Sequence, residues 1–161
     1  MRAPAEPPLL DEHAVRTSAD PTHVWDALPA GIAAAFAHGR GRAMAGLLGC
    51  SERGAREPFT TIEGATIPGF RAVRVVAPRE IALAGRHRFA RYVLTFRVEP
   101  RNGGATLRAV THAEFPGLRG ALYRALVVGT DAHRLVTRRI LKSIARRAER
   151  AHTYRTAEEE A

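Results

Sequence analysis

The chain has 161 residues, 45% hydrophobic and 25% charged, which fits one globular domain long enough to bury a core. No stretch approaches the ~18 consecutive apolar residues of a membrane-spanning helix, and the opening Met1 to Pro8 lacks the apolar centre of a signal peptide. The single cysteine, Cys50, excludes an internal disulfide and suits a reducing compartment, so a soluble cytoplasmic protein is expected.

The formal charge of +9 raises nucleic acid and anionic membranes as partners. Of the 25 basic residues, however, only Lys142 is lysine, and alanine is abundant as well. That bias reads as a GC-rich genome writing arginine wherever a cation serves, rather than as a phosphate-binding surface. Nucleic acid is therefore not expected as a partner, and a weak contact with an anionic membrane stays open.

Residues 1–9 carry proline without periodicity and read as a flexible tail. Leu10 to Ser18 reads as a first strand, with Asp11, His13, Val15 and Thr17 opposing Leu10, Glu12, Ala14 and Arg16. Asp20-Pro21 is a helix start, Asp20 as cap and Pro21 in the first turn. Val24, Trp25 and Leu28 then form one apolar edge, and Pro29 is expected to end this short helix. Gly31 to Leu48 predicts a second helix, or a pair broken around Gly39-Arg-Gly41. Gly49 to Pro58 reads as a charged loop.

From Phe59 the period changes to two. Short strands are expected at Phe59–Glu63, Phe70–Ala77 and Arg79–Phe89, the last with Ile81, Leu83, His87 and Phe89 on one face. Tyr92, Leu94, Phe96 and Val98 alternate with Val93, Thr95, Arg97 and Glu99 as a half-buried strand. Pro100 to Gly104 is a turn. Leu107, Ala109, Thr111, Ala113 and Phe115 share the next inward face. Such short connections imply an antiparallel meander of about five or six strands.

Pro116 to His152 is the longest helical pattern, roughly 50 Å if unbroken. Leu118, Leu122, Leu126, Gly129, His133, Val136, Ile140 and Ile144 recur at steps of three and four, predicting one apolar face against the sheet. Thr130 or Asp131 could cap a fresh segment and reset the phase. Arg134, Arg138, Lys142, Arg146 and Arg150 form an outer ladder, with Val128 and Leu135 on that side hinting at a homodimer patch. Residues 152–161 close as an acidic tail. The expected architecture is α+β: a curved antiparallel sheet over a long C-terminal helix, two short helices after the first strand, and a cavity between sheet and helix.

The segment Ala19-Asp-Pro-Thr-His-Val-Trp-Asp-Ala-Leu28, followed by the meander and the C-terminal amphipathic helix, resembles the START-like (SRPBCC) superfamily. There a proline commonly precedes a Val-Trp pair at the first helix. The resemblance covers about residues 10–151 and implies a single helix-grip domain of Bet v 1 type, with polyketide cyclase/dehydrase-like proteins among its branches. It is specific for the fold and weak for function, since that fold hosts carriers, receptors and enzymes alike.

His133 falls on the predicted apolar stripe, where a histidine needs a hydrogen-bond partner and can orient a ligand or move a proton. His87 and Tyr92 face inward if the register holds. These three are the candidate catalytic groups. Trp25, His87, Tyr92, Leu94, Phe96, Thr111, Gly129, His133 and Val136 are the candidate ligand-binding set: mostly apolar walls with few polar groups. His23, His112 and His152 read as surface residues. The scattered histidines predict no metal site, and no motif predicts a cofactor. The expected function is binding of a small or medium hydrophobic molecule, lipid or polyketide-like. The alternatives are a cyclase/dehydrase-type enzyme, or a surface that binds RNA or anionic membrane.

Overall fold

The computed structural model describes residues 7–37, 39–52, 58–129 and 131–159, with side chains to 154. His38, Thr130 and residues 1–6, 53–57 and 160–161 lie outside the described residues, and α4 runs through the expected C-terminal tail as far as Glu159. The elements in chain order are β1 (Leu9–Thr17), α1 (Pro21–Phe36), α2 (Gly39–Leu48), β2 (Thr66–Ile67), β3 (Phe70–Val76), β4 (Glu80–His87), β5 (Ala90–Arg101), β6 (Gly104–Glu114), α3 (Gly117–Gly129) and α4 (Ala132–Glu159). The strands make one open antiparallel sheet of order β1-β6-β5-β4-β3-β2. The long β5 is its spine, pairing with β4 through Leu83↔Leu94 and with β6 through Leu94↔Thr111.

The period-two pattern sorts the faces as expected. Phe96, Leu83, Leu107, Ile81 and Ala109 are buried in one core with Ile140, Leu141, Ile144 and Ala148 of α4. Trp25, Leu28 and Ile32 of α1 close that core from the side. The core is closed by packing: Phe96, Leu107, Leu141 and Ile144 have no exposed surface. The middle of the inner face is thus filled where the sequence suggested a cavity.

Three local expectations are corrected. The Asp20 carboxylate caps α1 by accepting the His23 N–H at 3.0 Å, but Pro29 does not end the helix, which runs on to Phe36. Proline there removes one helical hydrogen bond. Burial of Leu28 just before it and of Gly31 and Ile32 on the following turn offsets that loss. Phe59–Glu63 is not a strand: Phe59 plugs the core from a loop, and pairing begins only at Thr66.

The third correction concerns the C-terminal helix, which is two helices. Asp131, at φ 56°, turns the chain in the left-handed region, and its carbonyl accepts the Leu135 N–H at 3.0 Å as α4 begins. Ile140 and Ile144 stay buried, but Leu118, Leu122, Leu126 and Val136 are exposed, at 91%, 74%, 65% and 51%. At about 100° per residue, Gly120, Tyr123 and Val127 lie opposite the leucines on α3. That is the side it turns inward, with Gly120 buried and the other two half-buried. Gly120 permits this contact because a Cβ there would lie 2.7 Å from the Phe115 carbonyl carbon and 3.1 Å from the Phe89 oxygen.

The same device sets the α1–α4 crossing. A Cβ on Gly31 would stand 2.3 Å from Ile144 Cγ1. Gly31→Ala is therefore expected to lower stability by roughly 1–3 kcal/mol through overpacking. Gly46→Ala, in α2 with open space around it, should be neutral or stabilising. Urea unfolding of both variants checks the contrast.

Candidate functional site

The inner face of the sheet carries two clusters of chemistry beyond the apolar core. One is an aromatic box at the end nearest α3. His87 ends β4, Tyr92 begins the inward row of β5, and α3 lowers Tyr123 onto them. Ring centres lie 5.0 Å apart for His87–Tyr123, 5.5 Å for His87–Tyr92 and 5.5 Å for Phe89–Tyr123, the last pair stacked. Phe70 meets Tyr92 edge-on at 5.2 Å, and Phe36 from the end of α1 adds a further ring at 4.7 Å from Phe70.

Gly85 makes this possible. It sits opposite Tyr92 in the β4–β5 register, and a Cβ there would come within 2.5 Å of Tyr92 Cε2. The Tyr92 ring lies over the bare glycine, and its hydroxyl donates to the Gly69 carbonyl at 2.9 Å. Cys50, buried, approaches the same hydroxyl at 3.7 Å. Burial, then the Cys50 thiol beside it, pushes the Tyr92 phenol far above its ordinary value, and burial also raises Tyr123. Both phenols act as neutral groups. His87 Nδ1 accepts the Phe89 N–H at 3.1 Å, which leaves Nε2 as its proton-bearing atom. Burial lowers its pKa and so favours the neutral ring.

The second cluster is polar. Asp11 and Thr111 are cross-strand partners on β1 and β6, and α4 brings His133 over them. His133 Nε2 lies 3.3 Å from Thr111 Oγ1 and 3.4 Å from Asp11 Oδ2, and His13 Nε2 lies 3.3 Å from the same Asp11 oxygen. Burial disfavours the Asp11 charge, but the hydrogen bond and charge of His133, with Thr111 and His13, hold its pKa below the ordinary carboxylate value. Sequence reasoning found His133 and Thr111 and missed Asp11 and His13, whose alternation on β1 was the available signal.

The nine expected ligand-binding residues therefore divide. His87 with Tyr92, and Thr111 with His133, come together in the two clusters. Trp25, Leu94 and Phe96 belong to the packed core. Gly129 faces solvent at the end of α3, and Val136 lies at the edge of the α4 arc that buries Thr137, Ile140 and Ile144. Three further residues depart from the surface position expected of them, among them His112, which is half-buried. His23 is buried, and His152 is half-buried with its ring 5.2 Å from that of His23.

Two grooves flank the clusters. One, about 540 Å³, runs between α3 and the sheet, lined by Leu10, Ala113, Phe115, Arg124, Val128 and Gly129. The other, about 700 Å³, crosses the outer face between Arg71, Arg74, Arg86 and Arg91, with Glu52 and Glu114 in its walls.

No protein-family model matches the chain, and no curated protein does. Solved structures do. An uncharacterised protein from Rhizobium leguminosarum matches with a TM-score of 0.59 at 16% identity, covering 87% of this chain and 93% of that one. A Chromobacterium violaceum protein matches at 0.56 and 16%, covering 86% and 96%, and a Rhizobium loti protein at 0.55 and 16%, covering 85% and 94%. At such identities the likeness speaks for the fold alone. The open six-stranded antiparallel sheet with its long C-terminal helix fits a helix-grip fold. Among the described residues no helix is long and apolar enough to cross a membrane.

The depressed His87 pKa gives a signed expectation. Below pH 6.5, the ordinary value, the unfolded histidine takes up a proton that the folded one resists, so stability falls as pH drops towards the folded pKa. Asp11, also depressed, adds a loss at still lower pH, below 3.8. His87→Gln should flatten the first of these losses, read as unfolding midpoint against pH.

Proposed function

We propose that the protein is a START-like domain that binds a small or medium hydrophobic molecule, lipid or polyketide-like, in the aromatic box beneath α3. One observation carries this reading: α3 covers half-buried rings while burying only a narrow side of its own around Gly120. A helix that contributes so little buried surface separates from the sheet at low cost, and its separation opens an apolar site. The groove lined by Leu10, Phe115 and Val128 marks the seam along which it would lift. Tyr92, His87 and the Asp11–Thr111–His133 cluster supply the few polar groups that orient a ligand in apolar walls.

The test uses an uncharged, environment-sensitive naphthylamine dye, displaced by lipid extract. Wild type is expected to bind the dye and release it to the extract. Ala113→Trp fills the wall opposite Tyr92 and should abolish binding without unfolding the protein. Equal dye binding by the folded variant, or none by wild type, sinks the reading. Turnover lost in His133→Ala with binding retained would instead support a cyclase/dehydrase-type enzyme.

A second reading is supported by Leu118 and Leu122. They are the most exposed leucines of α3, and on the helical wheel they fall between Arg119 and Arg124. An apolar stripe with basic flanks suits the surface of an anionic membrane. Wild type should sediment with phosphatidylglycerol vesicles and not with phosphatidylcholine vesicles, and Leu118→Asp with Leu122→Asp should remove that binding. Retained sedimentation of the double variant would exclude α3 as the contact.

A further inference from the structure

Asp20, His23 and His152 meet where α1 begins and the last turns of α4 pass over it. Each offers one ligand atom, and these atoms lie within 4.8 Å of one another, the only such group of three among the described residues. Asp20 Oδ2 is 2.5 Å from His23 Nδ1 and 3.5 Å from His152 Nδ1. The two imidazoles stand edge to face at 79°.

We propose that this trio is a site for a divalent transition metal, zinc first, clamping the start of α1 to the end of α4. Two nitrogens and one carboxylate oxygen form a donor set of borderline softness, which zinc and its neighbours accept and which magnesium and calcium do not favour. Tetrahedral zinc with bonds of about 2.0–2.1 Å sets its ligands about 3.3 Å apart. The Asp20–His152 distance already meets this. The Asp20–His23 contact opens by under ~1 Å when the shared proton leaves and the metal takes its place.

The surroundings hold the three in position. Asp20 Oδ1 accepts the His23 N–H as the helix cap, so its other oxygen is the one presented. The Thr17 hydroxyl donates to Glu149 at 2.7 Å, one turn before His152, and accepts the Ala19 N–H at 3.3 Å, one residue before Asp20. One hydroxyl thus fixes both halves of the site. His23 turns Nδ1 to Asp20, so the metal takes this nitrogen and the buried Nε2 keeps the ring proton. Three protein ligands leave a fourth position for water, on the side where Asp20 and His152 are 43% and 35% exposed.

The experiment titrates zinc chloride into the chelator-stripped full chain, followed by calorimetry and thermal unfolding. One zinc per chain and a raised unfolding temperature are expected, with no such rise from magnesium. Asp20→Asn keeps the helix cap and removes the charge. His152→Ala removes a ligand near the end of α4. Outer-shell partners alone are worth about 10–100-fold in metal affinity, so each variant should weaken binding by at least tenfold. His112→Ala, away from the trio, should bind as wild type does. Absence of zinc uptake by wild type, or wild-type affinity in a variant with unaltered circular dichroism, overturns the proposal. Should one variant fail to fold, the other decides.

Discussion

Gly31 has no side chain, and Ile144 occupies the space that one would take. This contact fixes both the separation and the register of α1 and α4, and the polar residues of α4 follow from it. His133 is then set over Asp11 and Thr111, Glu149 reaches Thr17, and His152 arrives beside Asp20 and His23. All three are side chains on one helix whose apolar stripe through Ile140, Leu141, Ile144 and Ala148 admits a single seating on the sheet. A shift of α4 by one turn would break all three polar contacts together. The crossing glycine therefore positions groups near both ends of the helix.

The second constraint is the turn at Asp131. Left unbroken, the helix would carry Leu118, Leu122 and Leu126 onto the sheet as a continuation of the Ile140–Ile144 stripe. Positive φ at Asp131 ends that continuity, and α3 rotates its glycine, tyrosine and valine side inward instead. The result is a short helix with its greasiest residues in water. Exposure of single leucines is ordinary, but three at successive helical turns form a stripe. Their exposure is stabilising only if something apolar meets them, which ties the seating of α3 to whatever lies outside it.

Much of the fold was legible because period two and period three-to-four patterns depend on burial alone. Tyr92, Leu94, Phe96 and Val98 fell on the inner face as the alternation required, and Asp20-Pro21 began a helix as its cap chemistry required. Pro29 was misleading because tertiary burial of its neighbours outweighed a local hydrogen-bond loss of a kind that usually ends a helix. Phe59 was misleading because one aromatic in a loop reads like a strand residue. The long helix was legible as apolar period, with a fresh start at Thr130 or Asp131 as an alternative, but a left-handed aspartate leaves no periodic trace to say which side α3 turns inward. Within the site, His133, Thr111, His87 and Tyr92 could be read from their faces. Asp11 with His13 left a signal in the alternation of β1, but their meeting with His133, and that of His23 with His152, join segments whose pairing only the finished sheet and helix crossing decide.

The two clusters on the inner face are built on opposite electrostatic principles, and this bears on what they can do. The aromatic box keeps His87, Tyr92 and Tyr123 neutral by withholding water, so its polar atoms can donate or accept a hydrogen bond but hold no charge near neutral pH. The Asp11 cluster keeps a carboxylate ionised despite burial, by surrounding it with two imidazoles and a hydroxyl. A neutral ligand is thus matched by the first and would gain nothing from the second unless it carried a proton to share. Groups whose environments push their ionisation apart are the usual arrangement for moving protons. In this chain, however, the two clusters make no direct contact among their described hydrogen bonds and ring pairs, and the Leu94–Thr111 pairing lies beside the row that leads from one to the other. A ligand long enough to reach from Tyr92 to Thr111 would touch both, its apolar body in the box and a polar end at His133. On the proposed ligand-binding reading, length with one polar terminus is therefore the property that this pair of clusters would select.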